Sequence, residues 1–391
     1  MKHSETKRLN TKLFLFSLVL VSSAAGLLHS QSRETMTTKK DRFERVRVHG
    51  KSLAGNLEGD PPDRDVSIYL PPRYESDRNR RYPVVYLLHG YGNSDEGWYG
   101  PRTRSGFQSE ATSLPAVADR AIATGLAREM ILVMPNANTL HQGSMYSNSV
   151  TVGDWEAFIT RDLIAYVDSH YRTIPQRASR GLAGHSMGGY GAIRIALKHP
   201  DVFSSIYAMS SCCLKASLEP RDNWGVVWDP KDALAKAEAV HGREELAAAD
   251  GGTRRTLAEA AAWSPNPKNP PFFLDLPSKN GELQADVIAR WAANAPLAMI
   301  DQYVASLKKL TAIGIDVGEQ DVLLASNTEF SRVLSLNGIP HTFEAYNGDH
   351  TNRMAVRVET RVLPFFSSKL SFAATKQVGR KRFAAGQTAI R

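Results

Sequence analysis

Ser186 stands at the centre of Gly184-His-Ser-Met-Gly188, and Asp321 and His350 follow it along the chain. A serine hydroxyl is too weakly acidic to attack a carbonyl well. It needs an imidazole to take its proton and a carboxylate to fix that imidazole's tautomer. Serine, then acid, then histidine is the order in which one strand-turn-helix scaffold delivers these groups. In a Gly-x-Ser-x-Gly elbow the serine occupies a strained turn, so small residues flank it. The next N–H, that of Met187, then points where negative charge develops on a carbonyl oxygen. The pentapeptide alone is a weak signal. Its setting strengthens it: residues 180–184 read as a short buried strand, and residues 189–199 carry apolar side chains three and four apart, as a helix does.

The two partners sit in matching contexts. Asp321 ends Gly318-Glu-Gln-Asp321, just past the apolar run 312–317, and His350 ends Asn347-Gly-Asp-His350, after the run 341–346 and before the closing helix. Asp316 is the rival acid, but it falls inside a strand rather than beyond one; Asp321 is preferred. Asp349 is expected to cap the closing helix. His185 is expected to shape the pocket wall, and His89 to pack or hydrogen-bond structurally. A second oxyanion donor is expected at the N–H of Tyr91, in the glycine-flanked turn His89-Gly-Tyr-Gly92 after the strand 83–88.

The elements that must position these groups follow from periodicity. Residues 43–48 and 66–70 alternate like strands, while 83–88 and 130–134 are continuous apolar runs typical of strands covered on both faces. Helical patterns lie at 114–128, 155–171 and 353–369, and further strands at 202–211, 312–317 and 341–346. Strands alternating with helices imply an α/β fold with a doubly wound, mostly parallel sheet. The segment 214–299 breaks this rhythm with an Ala-rich helical part (231–263) and a proline-loaded loop (264–271). It reads as a helical insertion, or cap, over the active-site edge of one domain spanning 43–370.

Composition narrows the function classes. The 391 residues are 42% hydrophobic and 23% charged, with a net charge of +8. Residues 1–34 carry +3 of it and 360–391 carry +7, which leaves the body at −2. No basic face for nucleic acid is expected, and 371–391 reads as a basic, disordered tail. Lys7, Arg8 and Lys12 precede the apolar run 13–28, with small residues after it. That is the pattern of a signal peptide over 1–30, followed by a polar linker at 31–42; the run is short for a membrane span. Export to the periplasm or outside the cell is expected. Cys212 and Cys213 are the only cysteines and are neighbours. Adjacent Cα atoms lie about 3.8 Å apart, below the usual disulfide range of about 4.4–6.8 Å, so no structural bridge and no zinc site of cysteines is expected. Trp224, Trp228, Trp263, Phe272 and Phe273 could stack on an aromatic or sugar substrate, although core packing is the commoner fate.

Tyr69-Leu-Pro-Pro-Arg-Tyr74, Leu87-Leu-His-Gly-Tyr-Gly92, Gly184-His-Ser-Met-Gly-Gly-Tyr-Gly191, Gly318-Glu-Gln-Asp321, Gly338-Ile-Pro-His341 and Gly348-Asp-His350 resemble the esterase D family of α/β-hydrolases. That family is similar to feruloyl and acetyl-xylan esterases, S-formylglutathione hydrolases, siderophore esterases and mycolyltransferases. The resemblance covers about 43–213 and 300–370. It implies an α/β-hydrolase fold and acyl-enzyme chemistry without cofactor or metal, with Ser186 as nucleophile, His350 as base and Asp321 as its acid. The expected substrate is a small-molecule or carbohydrate-linked ester. Acyl transfer to a sugar or alcohol, and a non-catalytic binding role, are the alternative readings.

Overall fold

The structure, a computed structural model, describes residues 38–40, 42–99, 107, 109–215, 221–223, 226–228 and 230–373. The expected leader over 1–30, Trp224 and the tail beyond 373 lie outside the described residues. Nine strands form the central sheet: β1 (Thr38–Lys40), β2 (Phe43–His49), β3 (Asp63–Tyr69), β4 (Val84–Leu88), β5 (Ile131–Pro135), β6 (Arg180–His185), β7 (Ser205–Met209), β8 (Ala312–Gly318) and β9 (Thr342–Tyr346). Their order is β1-β2-β3-β5-β4-β6-β7-β8-β9. The first three strands and the β3–β5 junction are antiparallel, and every pairing from β5 to β9 is parallel.

Parallel pairing requires crossovers, and the crossover helices cover both faces. Alternation along each strand divides the core accordingly. Val84, Tyr86 and Leu88 of β4 point into one apolar cluster, and Val85 and Leu87 into the other. The second cluster is closed by α1 (Leu114–Ala123) and by the closing helix. The first is closed by a helix over 155–170 (α2) and by α3 (Met187–Lys198). α2 comprises Trp155–Ala157, a π-turn at Phe158–Asp162 and Leu163–His170. Glu156 anchors the two helices to each other, because Arg194, Lys198 and His199 of the α3 end all reach its buried carboxylate. Burial pushes that carboxyl up, but the three partners win and hold it at about 2.

The segment 214–299 contributes α4 (Pro230–Glu238), α5 (Arg243–Ala248), α6 (Gly251–Trp263) and α7 (Ala285–Ala293), and α8 (Pro296–Leu307) returns the chain to β8. Its side chains Ala237, Leu257, Trp263 and Phe272 belong to the same apolar cluster as β4 and α3. Hydrogen bonds fix it to the body: Ser149 Oγ donates to the Ala261 oxygen at 2.6 Å, and Tyr190 Oη donates to the Asn294 oxygen at 2.9 Å. Two helices complete the described residues, α9 (Leu324–Leu336) and one over 354–369 (α10). α9 is an addition to the expected elements. It buries only Asn327, Phe330 and Leu334, a stripe too narrow to stand out in sequence. Among the described residues no helix is long and apolar enough to cross a membrane.

Candidate active site

Ser186, Asp321, His350 and Tyr91 lie on loops after the C-terminal ends of parallel strands. In a parallel sheet these ends share one rim. Ser186 follows β6 with φ +57° and ψ −116°, a conformation that a side chain adopts only under constraint. The constraint is visible on both sides. The Ser186 N–H donates to the Met209 oxygen at 2.9 Å, and the Ser186 oxygen accepts from the N–H groups of Tyr190 (3.0 Å) and Cys212 (3.2 Å). The flanking glycines are required by contact: a Cβ on Gly184 would stand 2.2 Å from the Gly188 oxygen, and one on Gly188 would stand 2.0 Å from the Leu88 oxygen.

His350 follows β9 and Asp321 follows β8. Nδ1–H of His350 donates to Oδ2 of Asp321 at 2.8 Å, with the carboxylate fully buried. That bond assigns the proton to Nδ1 and leaves Nε2 as an acceptor. Burial pushes the Asp321 carboxyl up, but hydrogen bonds from His350 and from the Leu323 N–H leave it below the ordinary carboxylate range. His185, next to Ser186, donates through Nε2–H to the His350 main-chain oxygen at 2.7 Å. Its ring is buried, which pushes the imidazole down to about 3 and keeps it neutral. It is a strut between the serine strand and the histidine loop.

The turn after β4 packs directly on the serine: a Cβ on Gly90 would stand 3.3 Å from Ser186 Cβ. His89 holds the base of that turn, its Nδ1–H donating to the Gly90 oxygen and its Nε2 accepting from the Ala137 N–H, both at 2.8 Å. This is the structural role expected for it. Tyr91 is fixed by the segment 139–143. Its hydroxyl donates to the His141 oxygen at 2.9 Å, and the Gly92 N–H donates to the Gln142 oxygen at 2.9 Å. A side chain at Gly143 would strike both the Tyr91 ring (2.7 Å) and Met187 Sδ (2.8 Å). The residues bearing the two candidate oxyanion donors therefore share one backing residue. No motif in the sequence marks that segment.

Other candidates go elsewhere. Asp316 is fully buried inside β8, accepting from Arg357 Nε at 2.9 Å and from the Tyr207 hydroxyl at 3.0 Å. Burial outweighs these partners and pushes its carboxyl up to about 6. Asp349 caps the turn 349–352 through the Thr351 and Asn352 N–H groups, both at 2.8 Å, whereas the closing helix begins at Met354. The expected cap lies one turn too early because Arg353, not Asp349, occupies the helix N-cap. Trp263 packs between Tyr190 and Trp291, and Phe272 against His141. Cys212 and Cys213 are free thiols. Among the described residues no group of three or more His, Cys, Asp or Glu is placed to hold a metal. A cavity of about 480 Å³ lies between β9 and α10, lined by Tyr207, Phe343, Arg361 and Phe365, and includes none of the rim residues.

Comparison with known proteins places this chain in a family. Residues 61–354 match the family model described as Putative esterase. The chain is 28% identical over 299 residues to an esterase of Mycobacterium tuberculosis, covering 74% of this chain and 52% of that protein. It thus spans about half the length of the curated relatives it matches. It is 30% identical over 143 residues to an endo-1,4-beta-xylanase/feruloyl esterase of Xylanibacter ruminicola, covering 35% of this chain and 18% of that one. A solved ferulic acid esterase is similar with a TM-score of 0.56 and 24% identity, over 84% of this chain and 98% of that one. A fluorophosphonate-binding serine hydrolase of Staphylococcus aureus gives 0.53 and 19%, over 83% and 98%. At these identities the structural likeness speaks for the fold alone. The chain has the α/β-hydrolase fold and belongs to the Putative esterase family.

Proposed function

We propose that this protein is an exported serine ester hydrolase working through Ser186, His350 and Asp321. The observation that carries the reading is the 2.8 Å bond from His350 Nδ1 to a buried carboxylate, on the same rim as a serine held in a strained turn. Ser186 Oγ attacks the ester carbonyl carbon while His350 Nε2 takes its proton, and Asp321 stabilises the imidazolium that forms. The N–H groups of Tyr91 and Met187 hold the oxyanion; each such donor is worth about 3 kcal/mol in the transition state. The tetrahedral intermediate collapses as His350 returns the proton to the leaving alkoxide. Water, deprotonated by the same imidazole, then cleaves the acyl-enzyme. The apolar run preceded by Lys7, Arg8 and Lys12 supports export. The names of the relatives favour esters of ferulate-like acids as a first substrate class to try.

The test is turnover of a chromogenic short-chain ester by wild type and Ser186→Ala. The variant is expected to lose activity by at least about 10⁴-fold. Retained activity in a folded variant would overturn the reading.

A further inference from the structure

Helix α6 turns two charged residues inward. Arg255, Glu259 and Trp263 are four residues apart and share one face. Trp263 meets the Tyr190 ring of α3 at 5.7 Å, Cys213 Sγ lies 3.7 Å from Glu259 Oε1, and Arg255 Nε lies 3.6 Å from the same oxygen. The face therefore runs along α3 and across the end of β7, where the Cys212 N–H is bonded to the Ser186 oxygen at 3.2 Å. Only 19% of the Arg255 side chain and 9% of Glu259 are exposed. The charged pair is felt beside the rim: at the Tyr91 phenol and the Cys213 thiol Glu259 pushes upward and Arg255 opposes it. Arg254, one residue earlier, acts on Tyr91 in the same direction as Arg255.

Packing alone does not call for this arrangement. The same helix already buries Leu257, Ala258, Ala260 and Ala261, and a charged pair facing inward costs desolvation energy that an apolar pair would not. Charge kept at such cost beside a reactive rim marks recognition. A guanidinium offers a planar fork of donors that matches a carboxylate. The neighbouring Glu259 disfavours anything of greater negative charge, such as a phosphate dianion. We propose that Arg255 binds a carboxylate carried by the substrate, so that the preferred ester is a monoanion bearing a second acid group near the scissile bond. This rests on the ester-hydrolase reading above and narrows its substrate class.

Two ester pairs test it, each read as the kcat/KM ratio of anionic over neutral member by pH-stat titration. Monomethyl glutarate against methyl pentanoate places the carboxylate on the acyl side, and acetoxyacetate against propyl acetate places it on the alcohol side. Wild type is expected to favour the anion at least tenfold in one pair. Arg255→Gln is expected to lower that ratio at least tenfold, and Arg255→Lys, which keeps the charge, to retain part of it. Turnover of the neutral esters with no anionic preference in either pair would overturn the proposal alone, as would an unchanged ratio in Arg255→Gln. Failure to turn over any of the four esters would overturn it together with the hydrolase reading.

Discussion

Nε2 of His185 lies 2.7 Å from the main-chain oxygen of His350, a residue 165 positions further along the chain. The oxygen can only accept, so the ring donates, and its burial keeps it neutral. The residue preceding Ser186 thus sets the height of the loop that carries His350.

Replacing His185 by Ala removes that donor and opens space beside Gly90. Because the reacting groups shift rather than the substrate contacts, kcat is expected to fall about 10²-fold with KM little changed. Steady-state kinetics on a short-chain ester check this. An unchanged kcat would contradict the strut.

The two aspartates of the β8 region are expected to separate cleanly. Asp321→Asn leaves the fold intact but lets His350 adopt the wrong tautomer, and kcat is expected to drop about 10⁴-fold. Asp316→Ala instead breaks a buried ion pair with Arg357, costing about 3–5 kcal/mol of stability. Its signature is a lowered Tm, with kcat per folded molecule near wild type. The reverse pattern would make Asp316 the acid.

Why Asp321 could be preferred in sequence, and Asp316's partner could not, has a physical reason. An acid just past an apolar run is a local pattern, as is a serine between a strand and a helix. The loop after β9 carrying His350 is equally local. Arg357 meeting Asp316 depends on how α10 lies across the sheet, and the backing of Tyr91 by 139–143 depends on positive φ at Gln142, which no residue type announces. The π-turn in α2 and the inward charges of α6 likewise arise from packing against other elements. Local rules single out the candidate residues; the side chains that support them emerge only from tertiary contact.

Glu58 and His141 form a buried pair behind the Tyr91 loop, 3.5 Å apart and closed to solvent. Burial, reinforced by Asp60, holds the Glu58 carboxyl well above its usual range, with Arg243 opposing. A raised carboxyl favours the fold below its unfolded pKa and loses that contribution as pH rises toward the folded value. His141, pushed down to about 4 by burial, loses its contribution in the other direction, as pH falls from about 6.5. Glu58→Gln should therefore gain stability relative to wild type between pH 5 and pH 8. Urea unfolding at both pH values checks it, and a constant difference would contradict it.

The elbow leaves no room for a methyl group at Gly188, where the nearest atoms are main chain. Neither the Leu88 carbonyl nor the helix start can move away without breaking β4–β6 pairing. Gly188→Ala is expected to cost about 3 kcal/mol or more, read as a lowered urea midpoint. A variant as stable as wild type would contradict the close approach.

The most direct test of the central claim is covalent labelling with a fluorophosphonate, followed by mass-spectrometric mapping of the adduct. The geometry predicts one modified residue, Ser186, with labelling abolished in Ser186→Ala and strongly slowed in His350→Ala. An unmodified Ser186, or an adduct on a different serine, would contradict it.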